Sequence, residues 1–192
     1  MLEYFGVITG LVYMALEIKQ RPLMWVVGFV TSLVYVFVFF GSKLYADMGL
    51  QLYYALISIY GFWLWTGTDL SKEAASPVDS RILYRHVNLL LSVKILLALS
   101  AFHGALYYLL ITFTDSPVPA GDAFITAAGV VATWMLARRM IEHWYVWIVA
   151  NAVSVYIYYL RSLYPTMFLY LCYTLLAVAG LYMWIKKGTE SK

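Results

Sequence analysis

Few residues in this chain can do chemistry, and they sit where water is scarce. Asn151 interrupts the apolar run Trp144-Tyr145-Val146-Trp147-Ile148-Val149-Ala150-Asn151, and Trp147 lies four positions before it. An amide inside a bilayer-spanning helix costs free energy unless it finds a partner, so such a residue defaults to function. At 3.6 residues per turn the indole and the amide share a face. A flat ring beside a hydrogen-bonding group suits a small molecule that is both aromatic and polar. A second group comprises Gln51, Tyr54 and Ser58, spaced i, i+3, i+7 on one helical stripe, and Thr31 with Ser32 in the preceding apolar run. Trp134 is a further stacking candidate, deep in its own run. Each has a structural alternative. The amides could fix helix packing, and the hydroxyls could bond the carbonyl four residues back. Trp25, Trp65, Trp144 and Trp184 fall at span ends, where interfacial anchoring is the expected role.

What is absent narrows the reaction class. There is no phosphate-binding glycine loop, nucleophile elbow or zincin motif, and His86, His103 and His143 do not have metal-ligand spacing. No chain of carboxylates runs through the spans, since Glu17 and Glu142 fall at helix ends. The last span has no mid-membrane lysine for a retinal Schiff base. These residues point to energy-independent transport, with no catalytic residue, metal or cofactor. A channel and a non-transporting membrane subunit are the competing classes.

Composition requires a membrane. Of 192 residues, 64% are hydrophobic and 12% charged, which lies far from the usual soluble range. A net charge of +3 does not argue for nucleic acid, and the single Cys172 excludes an internal disulfide. Apolar runs long enough to cross about 30 Å of hydrocarbon fall near 2–18, 22–41, 44–66, 87–111, 122–141, 143–161 and 165–185. Seven spans in an all-α integral membrane protein are therefore expected. The polar breaks are Thr66 to His86, with Asp69, Lys72, Glu73, Pro77, Asp79, Arg81 and Arg85, and Thr114 to Gly121. The first segment carries Glu3 rather than a basic start, and reads as a span rather than a cleaved signal.

The basic residues orient the spans. With the N-terminus outside, Lys19, Arg21, Lys72, Arg81, Arg85, Arg138, Arg139, Lys186, Lys187 and Lys192 collect on the inner side, against Lys43 and Arg161 outside. Cytoplasmic loops retain such residues, so an outside N-terminus and an inside C-terminus are expected. Lys94 lies about two turns into the fourth span, from which its stem can snorkel to the inner headgroups.

Residues 3–65 fall on 122–184 without a gap when shifted by 119 positions, pairing Gly10 with Gly129, Trp25 with Trp144, Tyr54 with Tyr173, Gly61 with Gly180 and Trp65 with Trp184. Three spans end on the opposite side from where they begin, so a same-direction repeat needs one additional crossing. The expected organisation is a three-helix repeat over 1–66, a linker and connecting helix over 67–121, a second repeat over 122–185 and a tail over 186–192. Parallel repeats of this kind occur in carriers that bind near the midplane. The repeats differ at Ser32 against Asn151 and Gln51 against Tyr170, so each intramembrane amide occurs once. An asymmetric ligand asks for that.

Several of these residues also carry a family resemblance. Leu44-Tyr45-Ala46 with Gln51, Ile59-Tyr60-Gly61-Phe62-Trp63-Leu64-Trp65, Asp122-Ala123-Phe124, Arg138 through Trp144, and the Trp147 to Asn151 spacing resemble the PnuC-type B-vitamin transporters over almost the whole length. The resemblance implies facilitated diffusion of nicotinamide riboside or a related vitamin across the bacterial inner membrane. It also implies a homotrimer, a cytoplasmic kinase that traps the substrate, and a fold resembling a full-length relative of the SWEET carriers. Two positions depart from the family pattern. Phe62 stands where a Trp is common, and Thr31 stands where nicotinamide riboside members often have Asn, so thiamine and riboflavin remain alternatives. The substrate-binding set expected from residues and resemblance together is Trp147, Asn151, Gln51, Tyr54, Ser58, Thr31, Trp134 and Tyr173.

Overall fold

A computed structural model describes residues 2–41, 45–67 and 82–190. Seven helices occupy the described residues: α1 (Leu2–Ile18), α2 (Leu23–Gly41), α3 (Tyr45–Gly67), α4 (Leu89–Phe113), α5 (Pro119–Ala137), α6 (His143–Leu160) and α7 (Tyr164–Lys187). Each coincides with one expected span. Of the seven, α2, α4, α5 and α7 are long and apolar enough to cross a membrane, while the apolar part of α1 is shorter. Gln51 in α3, and His143 and Asn151 in α6, dilute the hydropathy of helices that otherwise have the length. Lys43, Leu44, Asp69, Lys72, Glu73, Pro77, Asp79, Arg81 and Lys192, used above for orientation, linker or resemblance, lie outside the described residues.

Two features depart from the sequence reading. The fifth helix runs Pro119–Ala137 rather than 122–141. Proline is favoured in a first helical turn, where its missing N–H would have no partner anyway. The C-terminal end is set by Arg139, which takes a left-handed φ of 58°, and by the Met140 N–H, which bonds back to the Met135 carbonyl at 3.0 Å. This is the glycine-type helix stop made without glycine. The fold is also not wholly helical, because β1 (Ile82–Tyr84) and β2 (Gly188–Glu190) pair in parallel with Leu83 opposite Thr189.

The chain forms two compact units: residues 1–84 with 137–139 and 183–192, and residues 85–136 with 140–182. In the first unit, α2 packs against α1 and α3. The core of this unit is indole. Trp25 meets Trp65 edge to face with ring centroids 5.5 Å apart, and a Cβ on Gly61 would lie 2.5 Å from Trp25 Cε2. Only a hydrogen in place of a side chain leaves room for that ring. Trp65 Nε1 donates to the Ala137 carbonyl at 2.9 Å, and Trp184 Nε1 donates to the Ile18 carbonyl at 3.2 Å. The Arg139 guanidinium lies 5.0 Å from the centroid of the Trp65 ring. Gln20, also left-handed at φ 52°, turns its amide onto β1, donating to the Leu83 carbonyl and accepting from the Leu83 N–H at 3.0 Å.

In the second unit, α5 lies deepest, with Ala123, Ala127, Ala128 and Ala132 fully buried so that neighbouring helices can approach closely. Val131, Met135 and Met140 form a cluster against which Leu91, Ile95 and Leu99 of α4 pack. The fourth helix packs on this cluster along one side, with none of its residues fully buried. Asn88 caps it, accepting the Leu91 N–H at 2.8 Å. Trp144 fills the space opened by Gly180, where a Cβ would lie 2.6 Å from its Cζ2. The four end-of-span tryptophans are thus core residues at 0 to 1% exposure and not interfacial anchors. Trp63, 66% exposed, is the one in α3 free to meet a bilayer interface.

Candidate functional site

In the second unit the site is built on one stripe of α6. Trp147, Asn151, Ser154 and Tyr158 recur at i, i+4, i+7 and i+11, so they line one face in succession. Asn151 is buried at 5% exposure, eight residues into an 18-residue helix, roughly 12 Å from its start at 1.5 Å per residue. No hydrogen bond joins its side chain to another described residue. A buried amide without a protein partner has capacity for a ligand. Ser154, by contrast, closes on its own helix, donating to the Ala150 carbonyl at 2.9 Å. Trp147 is half-buried and presents part of its ring outward from the core.

The stripe continues onto α7 through aromatic contacts. Tyr158 stacks on Tyr170 at 5.2 Å, and Tyr170 meets Tyr173 edge to face at 5.8 Å. Tyr173, one of the expected residues, thereby lies beside this run of rings. Tyr158 and Tyr170 were not singled out for it, although Tyr158 lies seven residues beyond Asn151 and Tyr170 occupies the place of Gln51 in the shifted register. Trp134 goes elsewhere, packing on the Val131, Met135 and Met140 cluster beside α4. His103 stacks on Tyr107 and meets Phe124 edge-on, and its Nδ1 is buried without a hydrogen bond.

The first unit holds the remaining expected residues on α2 and α3. Ser58 is buried at 4% and donates to the Tyr54 carbonyl at 2.7 Å, the back-bonded state that leaves no donor for a ligand. Thr31 differs. Its hydroxyl is buried and has no hydrogen-bond partner, although a carbonyl four residues back is the usual recourse for a helical threonine. Gln51 is half-buried with no side-chain bond to a described residue, and the Tyr53 and Tyr54 rings lie 5.5 Å apart beyond it. Gly28 faces both Tyr13 and Ser58, since a Cβ there would lie 3.0 Å from Tyr13 Cε2 and 3.1 Å from Ser58 Oγ. The Tyr13 ring therefore fills the groove over Gly28, a role that its isolated position in α1 does not announce.

These groups can bind but are not arranged for bond-breaking. The inventory is an amide on each of two helices, one unpartnered hydroxyl and a bank of rings. Among the described residues no group of three His, Cys, Asp or Glu side chains could hold a metal ion. His86 Nδ1 pairs with Glu142 Oε1 at 2.9 Å, but this oxygen also accepts the Val87 N–H at 3.1 Å, which marks the pair as a structural tie before α4.

Comparison with known proteins agrees with that chemistry. The family model described as nicotinamide mononucleotide transporter matches residues 1–186. The nicotinamide riboside transporter PnuC of Escherichia coli is 23% identical, over 98% of this chain and 87% of its own. The riboflavin/roseoflavin transporter RibM of Streptomyces davaonensis is 26% identical, over 99% of this chain and 87% of its own. A crystal structure of the vitamin B3 transporter PnuC superposes with a TM-score of 0.70, at 19% identity, covering 96% of this chain and 80% of that one, so the fold is shared. The chain belongs to the nicotinamide mononucleotide transporter family and is a membrane transporter, not an enzyme.

Proposed function

We propose that the protein carries a B-type vitamin across the bacterial inner membrane by facilitated diffusion, with nicotinamide riboside as substrate. The observation that carries this reading is Asn151, 5% exposed near the middle of α6 with no side-chain hydrogen bond to another described residue, one turn from Trp147. The ring stacks on the heterocycle, while Asn151, Gln51 and Thr31 replace the water that its amide and ribose hydroxyls lose on entry. Tyr54 on α3, beside Tyr53, and Tyr173 on α7, beside Tyr170, are further aromatic groups of this reading. Ser58 keeps its back-bond to Tyr54, and Trp134, packed on the Val131, Met135 and Met140 cluster, is a second stacking candidate.

In this reading all seven helices cross the membrane, with the N-terminus outside and the C-terminus inside, as two three-helix repeats joined by α4. The loops after α1 and α5 support the repeat. Gln20 and Arg139, 119 positions apart, are both left-handed, and the Arg21 to Leu16 and Met140 to Met135 backbone bonds are the same bond in each copy. The repeats rock about the site and expose it to either face in turn. Phosphorylation by a cytoplasmic kinase traps the vitamin, and the carrier works as a homotrimer. A SWEET-like arrangement of the triplets belongs to the same reading.

Riboflavin is the second reading, favoured by the relative at 26% identity whose name carries that vitamin; thiamine, a cation with two rings, is the third. Calorimetry of the purified protein against nicotinamide riboside, nicotinamide mononucleotide, thiamine and riboflavin separates them. Nicotinamide riboside is expected to bind, and Asn151→Leu is expected to abolish that binding while the protein stays folded in the membrane. Unchanged binding in the variant would return Asn151 to a packing role. Steady conductance in a planar bilayer would instead identify a channel, and absence of both binding and conductance a non-transporting subunit.

A further inference from the structure

The two indole to carbonyl bonds of the first unit are one bond with the repeats exchanged. Trp65 donates to Ala137 and Trp184 donates to Ile18; adding 119 to 65 gives 184, and adding 119 to 18 gives 137. Each bond therefore runs from the third helix of one repeat to the first helix of the other. The acceptors are of one kind. Ile18 and Ala137 are the last residues of α1 and α5, where carbonyls have no donor within the helix. The backbone turns that follow occupy Leu16 and Glu17 after α1, and Met135 after α5, which leaves the Ile18 and Ala137 oxygens for the indoles.

We propose that Trp65 and Trp184 are paired latches that hold the basic end of the two repeats shut, and that this end opens to its side of the membrane only when both indoles exchange their carbonyl for water. This rests on the alternating-access and repeat reading above. Both rings are buried, at 1% and 0% exposure, so an indole N–H that leaves its carbonyl must meet water or remain unpaired. That gives each bond two states, dry and bonded or wet and parted. Lys19, Arg21, Arg139, Lys186 and Lys187 surround this end in sequence, which places it on the cytoplasmic side in the proposed orientation.

The latches are unequal. Arg139 lies over the Trp65 ring at 5.0 Å, and its Nη2 is 3.5 Å from the Trp65 carbonyl oxygen, so a cation backs that indole. The equivalent residue of the other repeat, Gln20, turns to Leu83 instead.

The experiment uses full-length protein in lipid nanodiscs, with Cys172→Ser and spin labels at exposed positions introduced as Lys19→Cys and Lys186→Cys. Trp65→Phe and Trp184→Phe keep a ring and remove the donor. Each is expected to raise the population with separated labels by about fivefold, the factor for one net hydrogen bond, with the largest effect from the double variant. A double variant that is folded, by elution and thermal melt, yet has the wild-type distance distribution overturns the latches. Should the Phe variants fail to assemble, Arg139→Gln, which keeps both indoles, is expected to shift the population in the same direction, and an unchanged distribution there overturns the proposal equally. The wild-type distances with and without nicotinamide riboside keep the two readings apart. If they change with the vitamin while the variants do not differ, the latches fail alone. If transport occurs with no distance change in the wild type, alternating access fails.

Discussion

Gly61 and Gly180 offer a test in which one substitution is expected to act with opposite signs at different places in the same chain. At Gly61 the added methyl of Gly61→Ala would stand 2.5 Å from Cε2 and 2.6 Å from Cζ2 of Trp25, and at Gly180 it would stand 2.6 Å from Cζ2 of Trp144. Carbon atoms in contact prefer about 3.5 to 4.0 Å, so something must give by about 1 Å. The neighbour cannot rotate away cheaply, because it is a rigid bicyclic ring at 1% or 0% exposure, and Trp25 is held at its edge by Trp65. Forcing such an overpacked position costs about 1 to 3 kcal/mol. Gly49 and Gly104 also sit inside helices, α3 and α4, but a Cβ there meets nothing within 4 Å. There the methyl only restricts the unfolded chain and is expected to add about 0.5 to 1 kcal/mol of stability. At about 2 to 4 °C per kcal/mol for a chain of this size, Gly61→Ala and Gly180→Ala lower the melting temperature by about 2 to 12 °C, while Gly104→Ala raises it by about 1 to 4 °C. Dye-monitored or light-scattering melts of the detergent-solubilised protein read the difference. Equal melting temperatures for Gly61→Ala and Gly104→Ala would refute the claim that the indoles occupy the space above these glycines.

Two further outcomes are expected. Thr31→Val keeps the shape and removes a buried hydroxyl that has no partner; the empty protein should gain about 1 kcal/mol of stability while its vitamin affinity falls, and undiminished affinity in calorimetry would remove Thr31 from the site. Gln20→Ala loses both bonds to Leu83 and keeps the left-handed strain, whereas Gln20→Gly loses the bonds and relieves about 1 kcal/mol of that strain, so thermal melts should rank wild type and Gly above Ala.

The helices were legible because a long apolar run has few alternatives, and each run became one helix with ends within a few residues of the expected ones. Helix ends were less legible where the stop signal was unconventional. Gln20, Arg139 and Ser162 all take the left-handed turn that glycine usually supplies, with φ between 52° and 58°. The tryptophans were misread for a physical reason: an indole at a helix end has the same local sequence whether it faces lipid or core. What decides is a glycine 36 residues later, since 61 less 25 and 180 less 144 both give 36, and that information is tertiary. Among hydroxyls the sequence cannot distinguish Thr31 from Ser58, because back-bonding to the helix depends on a rotamer. The two strands, three residues each, were too short to leave a pattern.

The register that matches one half of the chain to the other separates two kinds of position. The matched pairs Trp25 and Trp144, Gly61 and Gly180, and Trp65 and Trp184 perform the same packing or bonding in both places. Residues with the same neighbours in both places can be the same residue. Among the positions of the proposed site Tyr54 and Tyr173 repeat, whereas the others do not, and the structure gives a reason why one of them cannot. Gly28 matches Trp147, yet the Tyr13 ring and the Ser58 hydroxyl already stand 3.0 and 3.1 Å from where a Cβ on Gly28 would be, whereas the position matching Tyr13 is the small Ala132. An indole at position 28 would have to displace Tyr13, so the scaffold accommodates the stacking tryptophan on α6 alone. On the proposed reading, one half then presents an indole with an amide and the other an amide with a hydroxyl. That reading favours nicotinamide riboside, with one aromatic and one polyhydroxyl end, over thiamine, and calorimetry in which thiamine binds more tightly than nicotinamide riboside would refute it.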